Sequence, residues 1–190
     1  LEPQVKDIHQ ELIEGCRNSS QKAQVQVYKL YYKAMFNTAL RIVNDVIEAE
    51  DVMQEAFLQA FQNIGNFRGE SSFGSWLKRI VINRSLDALR ANRADYSLDE
   101  LEHEPAETGL EDEDYMLVLS SKVESVRKAI HMLPDNYRVV LSLFLLEGYD
   151  HEEIAQILNI NNNLSRIRYF RARKKLLEYL GENSKAISAI

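Results

Sequence analysis

Arg166, Arg168, Arg171, Arg173, Lys174 and Lys175 lie within ten residues of one another, and no acid interrupts them. Cations at that density suit a phosphate backbone, and guanidinium forks can also read guanine edges in a major groove. A second group interleaves rings with cations: Phe67, Arg68, Phe73, Trp76 and Tyr96, near Lys78, Arg79, Arg84, Arg90 and Arg93. Rings stack on unpaired bases while cations hold phosphates, so this pattern suits single-stranded nucleic acid. Trp76 taken alone reads better as a core anchor. Phe67 and Phe73 lie in a segment rich in Gly and Ser and fit either role. A third group, Asp51-Val52-Met53-Gln54-Glu55, places Asp51, Gln54, Glu55 and Leu58 on one helix face while Val52 and Ala56 turn to a core. That polar face with one apolar residue could hold a partner or simply be solvated.

Residues suited to catalysis are scattered. The four histidines, His9, His103, His131 and His151, are far apart, and the single cysteine, Cys16, has no obvious partner. His151-Glu152-Glu153 lacks the second His, one helical turn on, that a zinc protease needs. The seven glycines form no phosphate-cradling loop. No catalytic residue, metal site or cofactor is expected, and the chain is not read as an enzyme.

Helices must position these groups, because Gly and Pro are scarce (7 and 3) and apolar residues recur at helical spacing. Val5 to Gly15 carries Ile8, Leu12 and Ile13, with Gly15 as a stop. Gln21 to Val43 carries a long stripe from Val25 to Val43. Glu48 to Ile64 ends at Gly65, and Trp76 to Arg93 follows the Gly/Ser-rich stretch. After Tyr115 to Met132, Leu133-Pro134-Asp135 breaks and restarts the chain. Asp150 and Glu153 resemble a capping box opening a short helix, His151 to Leu158. Asn159-Ile160-Asn161 makes a tight turn, Asn161 or Asn162 caps a last helix running to Leu180, and Gly181 ends it. A short helix, a turn and a basic helix make a helix-turn-helix. The expected fold is all-α: two small helical domains, the C-terminal one a helix-turn-helix.

Charge supports the division. From Asp95 to Asp114 the chain carries ten acids and no Lys or Arg, together with Pro105 and Gly109. A chain total of −6 with −10 in this segment leaves about +4 on the flanks. Residues 94–113 are read as an acidic flexible linker. One cysteine suits a reducing compartment. No apolar run approaches the ~20 residues of a membrane helix, and Leu1-Glu2-Pro3-Gln4 lacks signal-peptide features. A cytoplasmic protein with no membrane insertion is expected.

The run Glu50-Asp51-Val52-Met53-Gln54-Glu55-Ala56-Phe57, then Phe67-Arg68-Gly69-Glu70-Ser71-Ser72-Phe73, Trp76-Leu77 and Arg79-Ile80-Val81-Ile82-Asn83, resembles region two of extracytoplasmic-function sigma factors. Leu133-Pro134, Glu147-Gly148-Tyr149, Glu152-Glu153-Ile154-Ala155 and Arg171-Ala172-Arg173-Lys174-Lys175-Leu176 resemble region four of that family. The resemblance implies a region-two domain over 1–93, the linker over 94–113, a region-four domain over 114–182 and a tail over 183–190. It implies a factor that binds core RNA polymerase at its clamp coiled coil and flap, recognises −35 and −10 promoter DNA and promotes strand opening. It also implies an anti-sigma partner.

Residue by residue, Asp51, Gln54, Glu55 and Leu58 match the polymerase-gripping helix. Phe67, Arg68, Phe73, Trp76, Lys78, Asn83, Arg84, Asp87 and Arg90 match the −10 surface, with residues 65–76 as the loop that captures a flipped base. Asn162, Arg166, Phe170, Arg171, Arg173 and Lys174 match the −35 surface. The start of the last helix departs from the family, which generally has a small hydroxyl residue in place of Leu164 and often Ser in place of Ile167. A hydroxyl can donate to phosphate, whereas Leu or Ile cannot. The alternative reading is a helix-turn-helix regulator with an N-terminal sensing or dimerisation domain, which would explain the C-terminal half equally well.

Overall fold

The computed structural model describes residues 9–95 and 116–187, with side chains described over 9–91 and 123–181. The expected linker falls almost wholly outside the described residues, as do Ile8 and Tyr96. Every described element is a helix: α1 (Gln10–Arg17), α2 (Gln21–Val43), α3 (Val46–Gln62), a 3-10 turn (Ile64–Asn66), α4 (Phe73–Asp95), α5 (Met116–His131), α6 (Asp135–Leu145), α7 (His151–Leu158) and α8 (Asn162–Ile187). Among the described residues there is no strand, as the all-α expectation requires. None of these helices is long and apolar enough to cross a membrane. The chain divides into two compact units at Glu100.

In the first unit α2, α3 and α4 pack on one another and α1 packs on α2. Ala39, Ala49, Ala56 and Ala60 are completely buried, which brings the helices close, and Val27, Leu77 and Val81 fill the space between them. Each such Val or Leu contributes roughly 1.5–3 kcal/mol of burial. The ends are set locally. Ser20 accepts from the Ala23 amide to open α2, and Asp45 accepts from the Glu48 amide at 2.8 Å to open α3. Asn44 closes α2 in the left-handed conformation.

Several helix limits differ from the sequence expectation. α1 does not stop at Gly15 but runs to Arg17. Gly15 is there for proximity: a Cβ on it would stand 2.7 Å from the Ala23 Cβ. α4 begins at Phe73, three residues before Trp76. Ser72 explains this, since its hydroxyl accepts from the Ser75 amide at 3.2 Å in the manner of an N-cap. Finally, α4 extends to Asp95, past the expected linker start at 94.

In the second unit α8 packs against α5, α6 and α7. Ala129, Leu133, Leu141 and Ala172 form its centre. The capping box of α7 is present: Asp150 accepts from the amides of Glu152 and Glu153 at 2.8 Å, and Glu153 accepts from the Asp150 amide at 2.9 Å. Asn159 takes the left-handed conformation that ends α7, and the Ile160 amide reaches back to the Ala155 carbonyl at 2.9 Å. Asn161, of the two candidates, caps α8, accepting from the Leu164 amide at 2.7 Å. α8 continues through Gly181 to Ile187, into the expected tail. A Cβ on Gly181 would meet no described neighbour within 4 Å, and a glycine in a helix costs only about 1 kcal/mol relative to alanine.

Candidate nucleic-acid interfaces and partner face

The short α7 and the longer α8 cross with Ala155 and Ile154 buried in the angle, and Ala172 and Ser165 are buried on α8. The opposite side of α8 is open. Arg166, Arg171, Arg173 and Lys174 are exposed. Phe170 is 70% exposed and Ile167 39%, so rings and alkyl groups share the cationic face. Arg166 is oriented: its Nε donates to Asn162 Oδ1 at 2.9 Å, one turn earlier. This bond connects two residues expected at the −35 surface. Lys175 lies over the Tyr179 ring, 5.6 Å from its centre, and so leans back on the unit. The face is a row of cations around an exposed ring, suited in size and charge to a major groove.

Behind this face is a polar and aromatic cluster. The His151 ring stacks on Phe144 at 4.6 Å and meets Tyr169 edge-on at 5.5 Å. Its Nδ1 lies 3.0 Å from the Ser165 hydroxyl. Burial, aided by Arg166 and opposed by Asp150, pushes the His151 pKa below its ordinary 6.5.

In the first unit Asp51, Gln54, Glu55 and Leu58 are all exposed on α3, while Val52, Met53, Ala56 and Phe57 are buried. Leu58 is 61% exposed, and Ile47, one turn before Asp51 on the same face, is 73% exposed. The sequence reading did not include Ile47 on this face, although an apolar residue one turn before Asp51 was there to be read.

Two of the rings are more deeply buried than a stacking platform should be. Phe67 and Phe73 are 6% and 1% exposed. Phe73 meets Phe67 at 5.6 Å and Tyr31 at 5.5 Å, and Trp76 lies 5.4 Å from Phe67. The sequence left Phe67 and Phe73 open to either role, and both rings are buried in the core of the first unit. Trp76, favoured as a core anchor, is half-buried and packs on that core. It also lines a cleft of about 330 Å³ with Asn66, Phe67, Arg68, Gly69, Glu70 and Ser71. Gly69 turns the loop at φ +76°, a conformation that favours glycine. Arg17 of α1 fastens it, donating to the Phe67 carbonyl at 2.7 Å. No local signal in the sequence joined Arg17 to a carbonyl fifty residues away.

On α4, Asn83, Asp87 and Arg90 are exposed, and Lys78 and Arg84 are half-buried. Arg90 pairs with Asp87 at 2.9 Å. Arg84 donates to Gln59 at 2.8 Å and pairs with Glu55 at 3.3 Å. Thus a residue expected on the −10 surface is joined to one expected on the polymerase face.

A helical unit with an aromatic–cationic cleft, followed by a helix-turn-helix with a basic outer face, defines a nucleic-acid-binding protein in two parts. Comparison with known proteins sharpens that class. The family "Sigma-70 region 2" matches residues 27–94, and "Sigma-70, region 4" matches residues 124–176. The RNA polymerase sigma-H factor of Pseudomonas aeruginosa is 32% identical over 175 residues, which cover 88% of this chain and 91% of that one. The ECF RNA polymerase sigma factor SigW of Bacillus subtilis is 30% identical over 177 residues, covering 88% and 94%. Two solved structures share the fold at 23% identity. One is the sigma factor RpoE of Bartonella quintana in complex with the anti-sigma factor NepR, with a TM-score of 0.57 and coverage of 82% of this chain and 95% of that one. The other is CnrH in complex with the cytosolic domain of CnrY, with a TM-score of 0.55 and coverage of 93% and 99%. The chain belongs to the extracytoplasmic-function (ECF) RNA polymerase sigma factors, and so is a transcription-initiation factor.

Proposed function

We propose that the first unit grips core polymerase and opens the −10 element while the second reads −35 duplex. Residues 1–93 serve as the region-two domain and 114–182 as the region-four domain, joined by the acidic segment 94–113. The α3 face of Asp51, Gln54, Glu55 and Leu58, extended by Ile47, takes the polymerase clamp. Arg68 and Trp76, at the cleft beside the loop, take a single unpaired base; Phe67 and Phe73 hold that loop from beneath. Lys78, Asn83, Arg84, Asp87 and Arg90 line the −10 strand. Asn162, Arg166, Phe170, Arg171, Arg173 and Lys174 contact the −35 element.

The observation that carries this reading is the outer face of α8, where four exposed cations surround an exposed Phe170. Such a face gains from phosphate contact and from apolar contact with base edges. The protein acts by binding and not by catalysis, in the cytoplasm. One solved structure of this fold, the sigma factor RpoE, holds the anti-sigma factor NepR, and an anti-sigma protein is the regulatory partner proposed for this chain.

The test is co-purification with core polymerase followed by promoter binding. Sequence-selective promoter binding that depends on core polymerase supports the proposal. Tight operator-like binding by the chain alone, as a dimer, would instead favour an ordinary helix-turn-helix regulator.

A further inference from the structure

Ser165 stands in the first turn of α8 and is completely buried. A hydroxyl removed from water costs free energy unless it is bonded. Its bond runs to His151 Nδ1, at 3.0 Å. His151 is the first residue of α7, so the contact ties the opening of one helix to the opening of the next. The imidazole has little freedom to follow Ser165 if α8 moves. It belongs to α7 and is stacked on Phe144 of α6 with ring planes 23° apart, so its position is set by two helices other than α8.

This contact constrains rotation of α8 about its own axis. A serine Oγ lies roughly 4 Å from the helix axis, so a turn of about 15° carries it about 1 Å. That distance separates a good hydrogen bond from none. Arg166 and Ile167 follow Ser165 directly, and both are exposed. The charged groups facing the ring are Arg166 from α8 and Asp150 from the start of α7. Burial and Arg166 disfavour protonation of the imidazole, so that it does not repel the guanidinium beside it.

We propose that His151 is a positioning residue for −35 recognition: through its bond to buried Ser165 it fixes the rotation of the recognition helix, and with it which base pairs Arg166 and Ile167 reach. The inference rests on the reading of α8 as the −35 reader. It adds a determinant that touches no DNA. Leu164 and Ile167 make it more consequential, because neither carries a hydroxyl that could anchor the first turn to phosphate.

The test uses the full chain assembled with core polymerase and a library of promoter duplexes randomised across the −35 element. The chains compared are the parent, His151→Phe, Ser165→Ala, the double variant and His151→Asn. Phe keeps the stacking ring and loses the bond; Asn carries a polar nitrogen near the position of Nδ1. Each single loss should lower discrimination at the base pairs facing the first turn of α8 by about tenfold, with low-salt binding to bulk duplex unchanged. The double variant should lose no more than either single one, and His151→Asn should retain most of the preference. A wild-type preference in Ser165→Ala, or losses that multiply in the double variant, would overturn the inference. If His151→Phe fails to fold, Ser165→Ala decides alone, since it removes a single oxygen. A parent holoenzyme with no −35 preference would instead overturn the reading of α8 itself.

Discussion

Gln54 and Glu55 are exposed on α3, and Glu55 pairs with Arg84 of α4 at 3.3 Å. That pair is largely open to solvent, with 42% and 60% of the side chains accessible, and contributes little to stability. A Gln54→Ala/Glu55→Ala variant should therefore keep its helicity and melt within a degree or two of the parent. Its affinity for core polymerase should fall about tenfold or more. Titration of labelled chain with core polymerase measures this, and unchanged affinity would remove the α3 face from the contact.

Arg171 is exposed on α8 and is expected to act through charge. Arg171→Ala should weaken −35 binding in one of two recognisable ways. A lost phosphate contact lowers affinity for every sequence and reduces the salt slope by about one; a lost base contact costs ~1–3 kcal/mol at one base pair. Affinity and salt dependence both equal to the parent's would mean that α8 meets DNA through another face. Phe67 calls for the opposite expectation. As a buried ring against Phe73 and Trp76, Phe67→Ala should cost roughly 3–5 kcal/mol of stability in the first unit. A variant that melts like the parent yet fails only in strand opening would restore the stacking role.

At the scale of the element, glycine at position 15 is a packing device. Alanine normally favours a helix over glycine by roughly 0.5–1 kcal/mol. At position 15 the added Cβ would meet the Ala23 Cβ at 2.7 Å, a contact that neither helix relieves without moving. Gly15→Ala should lower the melting temperature of the first unit in spite of its helix propensity. A higher melting temperature would show that α1 and α2 are less tightly joined.

The second unit should be sensitive to acid. The His131 pKa is lowered by burial first, then by Arg138 and Arg127, with Glu124 opposing. His151 is lowered by burial and Arg166. The unfolded chain then takes up protons at about 6.5 that the folded unit refuses. Stability is fully present above that pH and is lost as the pH falls from there toward the folded values. Amide-exchange protection of α6 and α8 in the full chain should therefore drop between about pH 7.5 and 5.5. The drop should be shallower in His131→Gln, and equal slopes would exclude His131 as a source.

What the sequence made legible was local. α2 and α7 fall where apolar spacing and capping residues put them, and the capping box of Asp150 and Glu153 forms both its bonds. The polar–apolar division of α3 is read equally well, because burial alternates on a single helix. Less legible were features that depend on a distant partner. The sequence presents Gly15 as a stop, since nothing near it shows that Ala23 lies across it. Ser72 sits among other small residues, so its capping role merged into the loop. Phe67 and Phe73 could face either way until α2 supplied Tyr31. The Glu55–Arg84 pair joins residues on two helices that only packing brings together.

At the scale of the whole molecule, the function proposed above gives the chain a partner face, a single-strand cleft and a duplex reader in two helical units, with the acidic segment between them in sequence. Ten acids without a balancing base give that segment a charge of −10. If that segment lies in the polymerase path of nascent RNA, its charge resembles that of RNA, and growing transcript displaces it by like-charge competition as well as by bulk. Changing Asp99 to Asn and Glu100, Glu102 and Glu104 to Gln keeps length and removes charge. The yield of abortive transcripts should change while −10 and −35 recognition stay as they were. An abortive pattern identical to the parent's would leave the segment as a spacer.

On the function proposed above, promoter recognition by this chain is a property of its complex with core polymerase. The direct measurement is transcription from a promoter selected by the holoenzyme, with core polymerase alone, chain alone and the two together, each followed by base-reactivity probing of the −10 region. A unique start site and an opened −10 segment are expected only when both are present, and neither with the Gln54→Ala/Glu55→Ala variant at limiting concentration. Specific duplex binding by the chain alone, with no opening and no transcript when core polymerase is added, would contradict it.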